Sequence, residues 1–238
     1  MIEATPPPGM LLTGIVGSTA YGLAGPDSDV DRLGVFAAPT LALVGLRTPP
    51  ETYVTTKPDS ALHEAGKYCH LALAGNPTAT ELMWLPEDLY EVRTPLGDAL
   101  RDIRRAFLSA PRVRDAYLGY ATQQFKRLAG RGDGTFSSDT RRRTAKHARH
   151  LLRLCHQGLT LYTTGELEIR LSDPEHFRDF GERVAAGDID AARRAMTDYE
   201  AAFAAATPAV PPDPDEQTVA AWLRDVRVAH WSEHDRGA

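Results

Sequence analysis

Residues 17–31 read Gly-Ser-Thr-Ala-Tyr-Gly-Leu-Ala-Gly-Pro-Asp-Ser-Asp-Val-Asp. A Gly-Ser step opens this stretch, a close pair of aspartates ends it, and each end adjoins an apolar run. Met10 to Val16 (Met-Leu-Leu-Thr-Gly-Ile-Val) is the first run, and Arg32 to Ala37 (Arg-Leu-Gly-Val-Phe-Ala) is the second. Short apolar runs bounded by Gly, Pro, Asp and Ser read as strands. Successive side chains of a strand point to opposite faces, so Asp29 and Asp31 are expected to share a face, with Val30 turned into the core. Two carboxylates side by side repel unless a cation lies between them. Hard oxygen ligands of this kind suit Mg²⁺, which also binds substrate phosphates.

Gly17 permits a close backbone approach, and Ser18 suits the N-cap of a helix running through Thr19 to Leu23. A helix N-terminus offers unpaired N–H groups and a positive dipole end, both favourable to phosphate. The stretch thus combines donors for a triphosphate with carboxylates for its metal, which points to chemistry on nucleoside triphosphates. An Asp-x-Asp pair alone is also a solvated turn, and a serine alone is also a cap. The flanking strands give the combination its weight.

Gly17-Ser18, Gly22 and Ser28-Asp29-Val30-Asp31 resemble the signature of the DNA polymerase beta-type nucleotidyltransferase superfamily. The Tyr21-Gly22 form resembles a bacterial and phage branch of predicted nucleotidyltransferases. A second block is similar to the same branch: Glu64, Lys67, Tyr68, Asn76-Pro77-Thr78 and Glu81-Leu82. Together the two blocks cover roughly residues 10 to 85. A looser similarity runs through Lys146, His150, Arg153 and Gly165-Glu166-Leu167.

The resemblance implies transfer of a nucleoside monophosphate from an NTP to an acceptor, with release of pyrophosphate. It implies that Asp29 and Asp31 bind Mg²⁺ and that Gly17 and Ser18 hold the triphosphate. A third carboxylate from a neighbouring strand would complete a site for two ions and take the acceptor's proton. Asp59, at the end of the alternating run Glu51 to Pro58, is the first choice by position. Asp59-Ser60 suits the cap of a following helix equally well. Glu64 is the reserve, and its alternative is an i,i+3 ion pair with Lys67. Lys67 is placed to reach phosphate from that helix, or is a surface lysine. Lys146, His150 and Arg153 recur at i, i+4, i+7, near Arg141 to Arg143. They suit either an anion-binding wall or a solvated helix face.

The chain has 238 residues, 42% of them hydrophobic and 25% charged, as in ordinary globular proteins. A formal net charge of −5 argues against a broadly basic nucleic-acid surface. The acceptor is therefore left open among a small-molecule hydroxyl, a protein side chain and a nucleic-acid end. Cys69 and Cys155 read as buried thiols, consistent with a reducing cytoplasm. No run is long enough to span a membrane, and the first residues lack the pattern of a secretory signal. No Gly-x-x-x-x-Gly-Lys-[Ser/Thr] phosphate loop is present.

The expected fold class is α/β (α+β), with a small mixed sheet flanked by helices over residues 1–92 and a helical region over 93–238. Helices are expected over 60–74, 78–84, 95–108, 111–128, a long segment ending near 157, 174–185, 189–205 and 217–228. A Gly- and Ser-rich stretch at 130–140 reads as a mobile loop, and Thr207 to Asp215 as an extended linker. The sequence reads as a Mg²⁺-dependent nucleotidyltransferase. The alternative is a catalytically weak or inactive nucleotide-binding module of the same fold.

Overall fold

Strand pairing decides the layout around the quoted stretch. A computed structural model describes residues 9–26, 28–129 and 138–231. In chain order the first elements are β1 (Met10–Val16), α1 (Gly17–Tyr21), β2 (Asp31–Phe36), α2 (Thr40–Leu43), β3 (Thr52–Thr56) and β4 (Asp59–Glu64). Then come α3 (Ala65–Leu73), α4 (Pro77–Leu82), β5 (Tyr90–Arg93) and α5 (Pro95–Asp102). The strands form one open mixed sheet in the order β3-β4-β2-β1-β5. β2 and β4 run parallel, and every other neighbour is antiparallel. β1 and β2 are interior strands, and their runs are correspondingly buried: Leu12 and Val35 at 0%, Leu33 and Phe36 at 2%. Each such side chain contributes about 1.5–3 kcal/mol by leaving water.

The remaining helices are α6 (Ala110–Ala129), α7 (Ser138–Thr164), α8 (Pro174–Ala185), α9 (Ile189–Ala205) and α10 (Glu216–Ala229). The architecture is thus the expected α+β class, a mixed sheet with flanking helices and a helical C-terminal region. Its compact units are drawn differently from the boundary expected near residue 93. Residues up to Leu108 join those from Pro214 onward in one unit, and Ser109–Asp213 form the other. α10 belongs with the sheet unit because its face is tied there. Trp222 Nε1 donates to the Leu96 carbonyl at 2.9 Å, and Thr40 Oγ1 donates to the Arg227 carbonyl at 2.7 Å. Arg227 also clamps the Glu64 carboxylate at 2.5 and 2.9 Å.

In the helical unit α7 packs on α6, α8 and α9. Leu151, Leu154, Cys155, Tyr117 and Phe203 fill its core. α7 extends past the end expected near residue 157 and runs through Gly158, which lies flush against the Tyr117 side chain where a Cβ would collide. Residues 138–140 begin α7, so Arg141 to Arg143 stand on helix turns, paired with Glu182 and Asp139. The rest of the expected loop, 130–137, lies outside the described residues.

The largest departure from expectation lies at 59–64. These residues form a strand, not the start of a helix over 60–74, and α3 begins only at Ala65. Ser-Ala-Leu-His-Glu has no strong local preference. Parallel pairing with β2 and the hairpin with β3 decide its state, a tertiary effect of the kind that overrides strand propensity. The helix cap is accordingly Glu64, whose carboxylate accepts from Gly66 N at 2.7 Å.

Candidate active site

Three elements meet at one end of the sheet. β1 ends at Val16, which pairs with Asp31, the first residue of β2. Arg32 pairs with Ser60, so one step back along the parallel strands Asp31 adjoins Asp59, the first residue of β4. Neighbouring strands lie about 4.8 Å apart. The row across this end is therefore Gly17, Asp31, Asp59.

Gly17 has φ +70°, which turns the chain from β1 directly into α1. The Asp31 carboxylate lies where a Gly17 side chain would be, so even a methyl group there would collide with it. Because the turn is made at Gly17, α1 starts two residues earlier than expected. Val16 is its N-cap, without a side-chain bond, and Ser18 stands in the first turn instead of capping. α1 ends at Gly22, and its last residue is anchored: Tyr21 Oη donates to Glu81 Oε1 at 2.6 Å in the interior. α4, which carries Glu81, is capped by Asn76 Oδ1 accepting from Ala79 N at 3.1 Å, with Pro77 in its first turn. Tyr68 Oη donates to the Ala79 carbonyl at 2.8 Å. Tyr68, Asn76-Pro77 and Glu81 of the second sequence block thus form the brace behind the turn at Gly17.

Asp29 stands in the coil before β2, not on the strand. Strand alternation does not reach Val30, which is 38% exposed instead of turned into the core. Asp29 and Asp59 are both exposed and line a common cleft of about 370 Å³, with Arg32, Thr56 and Lys57. Asp31 is half-buried and stands outside that lining, against Gly17. Arg32 Nε donates to both Glu91 carboxylate oxygens at 2.9 Å, closing the β5 side.

Among the described residues no three His, Cys, Asp or Glu side chains converge closely enough to make a ready metal cage. Mg²⁺ rarely uses one; one or two carboxylates plus substrate phosphates suffice. Asp31 and Asp59 at adjacent strand starts, with Asp29 exposed beside them, fit that mode of binding.

The other candidates fall elsewhere. Glu64 is at the far end of β4, paired in register with Phe36. Five residues of strand, about 17 Å, separate it from Asp59. Its carboxylate is engaged by Arg227, not by Lys67. Lys67, one turn into α3, shares that far end and lies near His63, whose pKa is lowered first by burial and then by this lysine. The strand at 59–64 is what moves both away from Asp31. Lys146 and Arg153 belong to the helical unit. Lys146 is exposed, but Arg153 is only 2% exposed, its guanidinium donating to Gln157 Oε1 and to His150 Nδ1. Burial, then Arg153, pushes the His150 pKa down to about 3, so the ring stays neutral and acts as an acceptor. The helix face expected as either an anion-binding wall or a solvated surface is one exposed lysine and a buried polar network.

Two participants were not singled out in the sequence. Lys57 sits in the β3–β4 turn and lines the cleft. Its signal was the Lys-Pro step between two alternating runs, a hairpin mark. Arg227 lies 163 residues from Glu64 and had no local signal.

Residues 1–191 match the RNA repair pathway DNA polymerase beta family, RlaP. The chain belongs to that family. It is therefore a member of a DNA polymerase beta-type nucleotidyltransferase family, as its Gly-Ser and Asp-x-Asp signature indicated. No curated protein matches it. The matched span covers the sheet through β5 and α5 and ends in α9, so α10 lies beyond it. Among the described residues no helix is long and apolar enough to cross a membrane.

The Gly17 turn gives a first prediction. Gly17→Ala places a methyl group at positive φ and into the Asp31 carboxylate, displacing it from the row. Nucleotidyl transfer is expected to fall about 100-fold or more, which corresponds to about 3 kcal/mol of lost transition-state stabilisation. Initial rates of pyrophosphate release at saturating NTP measure it, and a rate within about threefold of wild type contradicts it.

Proposed function

We propose that this protein transfers a nucleoside monophosphate from an NTP to the end of an RNA, releasing pyrophosphate, with Mg²⁺ as the metal. The observation that carries this reading is the row Gly17, Asp31, Asp59 at one end of the sheet. Family membership supports the reaction type, and the family's place in an RNA repair pathway supports the acceptor. The net charge of −5 fits engagement of a strand end better than a long nucleic-acid track.

In this reading the backbone N–H groups at Gly17 and Ser18 bind the triphosphate. Asp29, Asp31 and Asp59 hold the metal, and Asp59 accepts the proton of the attacking hydroxyl. When bound, Mg²⁺ supplies charge stabilisation to the attacking and leaving oxygens of an in-line displacement. The hydroxyl oxygen forms a bond to the α-phosphorus, the α–β bridging bond breaks, and pyrophosphate leaves with the electron pair. Lys146 is a further exposed cation, on the helical unit. Two free buried thiols, Cys69 and Cys155, fit a reducing compartment such as the cytoplasm.

The spread of the three carboxylates favours one competing reading, a nucleotide-binding module with little turnover. Incubation with α-labelled NTPs, Mg²⁺ and a short RNA separates the two. Label on the RNA together with pyrophosphate release is the expected result. NTP bound but never cleaved establishes the module, and label on the protein or on a small molecule replaces the acceptor.

A further inference from the structure

The order of the strands gives the site two sides. β1, which leads into Gly17 and Ser18 of α1, lies on one side of β2, and β4 and β3 lie on the other. In-line displacement puts the attacking and leaving oxygens on opposite sides of the phosphorus. A triphosphate laid across β2 with its pyrophosphate end at Gly17 and Ser18 is then attacked from the β4 side. That side carries the cleft, and Lys57, in the β3–β4 turn two residues before Asp59, lines it.

Lys57 is exposed, and among the described residues it makes no ion pair, although Asp29 and Asp59 share the cleft. The cleft's other cation, Arg32, is held by Glu91. An ammonium group without an ion pair, in a cleft whose other cation is already held, suits an anion brought in by the substrate. The acceptor hydroxyl must approach Asp59, so that anion sits beside the hydroxyl. A phosphodiester next to a terminal hydroxyl has this form; a protein serine or tyrosine does not.

We infer that Lys57 is an acceptor-binding residue, which contacts the backbone phosphate flanking the 3′ hydroxyl of a single-stranded RNA end. The inference rests on the nucleotidyltransferase reading and adds the acceptor side to it. The β3–β4 hairpin then selects phosphate-bearing acceptors, while the β1–α1 turn holds the NTP.

The test compares wild type, Lys57→Ala and Lys57→Arg as full chains, with two separate readouts. Fluorescence anisotropy measures the affinity for a short labelled RNA with a free 3′ hydroxyl, and calorimetry measures NTP affinity with Mg²⁺. Lys57→Ala is expected to weaken RNA binding about tenfold, as loss of one charge-assisted contact would. The slope of log K against log salt is expected to fall by about 0.7, the value for one phosphate on a single strand. Lys57→Arg keeps most of the RNA affinity, and NTP affinity changes by less than about twofold in both variants. Unchanged RNA affinity in Lys57→Ala overturns the inference, and so does a loss confined to NTP, which moves Lys57 to the triphosphate side. Wild type that binds NTP but transfers only to protein or small-molecule hydroxyls also overturns it, leaving the nucleotidyltransferase reading intact. Wild type that binds no NTP removes that reading itself, whatever the RNA result.

Discussion

Asp31→Asn is expected to lower nucleotidyl transfer about 10³-fold with little change in stability. Asp31 is the residue on which the local features converge. It pairs with Val16, adjoins Asp59 on β4, and packs its carboxylate against Gly17. Asparagine has nearly the same shape, so it fits the same space. It removes the negative charge, which is what a divalent ion needs. The lost stabilisation of charge developing at the α-phosphate is several kcal/mol, about 4 for that rate factor. Initial rates at several Mg²⁺ concentrations, with a melting curve on the same sample, measure both parts. A rate within about tenfold of wild type removes Asp31 from the metal site. A collapse in melting temperature instead makes it a structural residue.

Arg227→Ala carries the second large effect, and it acts on stability. The Glu64 carboxylate is 5% exposed and accepts from both the Arg227 guanidinium and the Gly66 amide. Removing one partner of a buried pair leaves an uncompensated charge, at a cost of about 3–5 kcal/mol. Arg227 is 22% exposed, so the lower figure, about 3 kcal/mol, applies. The melting temperature of the sheet unit is expected to drop by about 10 °C. Arg227→Ala combined with Glu64→Gln removes the orphaned charge and is expected to recover much of that loss. A single variant within about 2 °C of wild type shows that α10 is held by its apolar face alone. The pair also closes the reserve candidacy of Glu64 as a metal ligand. Its oxygens serve Arg227 and the start of α3, at the other end of β4 from Asp31.

The parts legible in the sequence are those whose cause is local. β1 has the bounds its apolar run dictates. α8 and α9 begin and end where the pattern places them, because Asp173 with Pro174 and Asp188 are caps written into the chain. The Gly-Ser and Asp-x-Asp elements were visible because both stand within fifteen residues of one another. What stayed hidden depends on distant partners. Residues 59–64 become a strand only because β2 offers an open parallel edge. That one change moved Lys67 and Glu64 away from the carboxylates and brought Asp59 beside Asp31. Arg153 carries a charge, and a helical wheel puts it on a polar face. Its burial comes from packing within the helical unit, with Gln157 Oε1 and His150 Nδ1 accepting hydrogen bonds from its guanidinium. Arg227 reaches Glu64 across 163 positions, which no window of sequence can reveal.

The most direct measurement is calorimetric titration of each NTP, with and without Mg²⁺, into wild type and into Asp29→Asn/Asp31→Asn. The expected result is binding of at least one NTP that requires Mg²⁺ and is lost or strongly weakened in the double variant. NTP binding that ignores both the metal and the aspartates, or no NTP binding at all, contradicts a metal-dependent nucleotide site at the Gly17, Asp31, Asp59 end of the sheet.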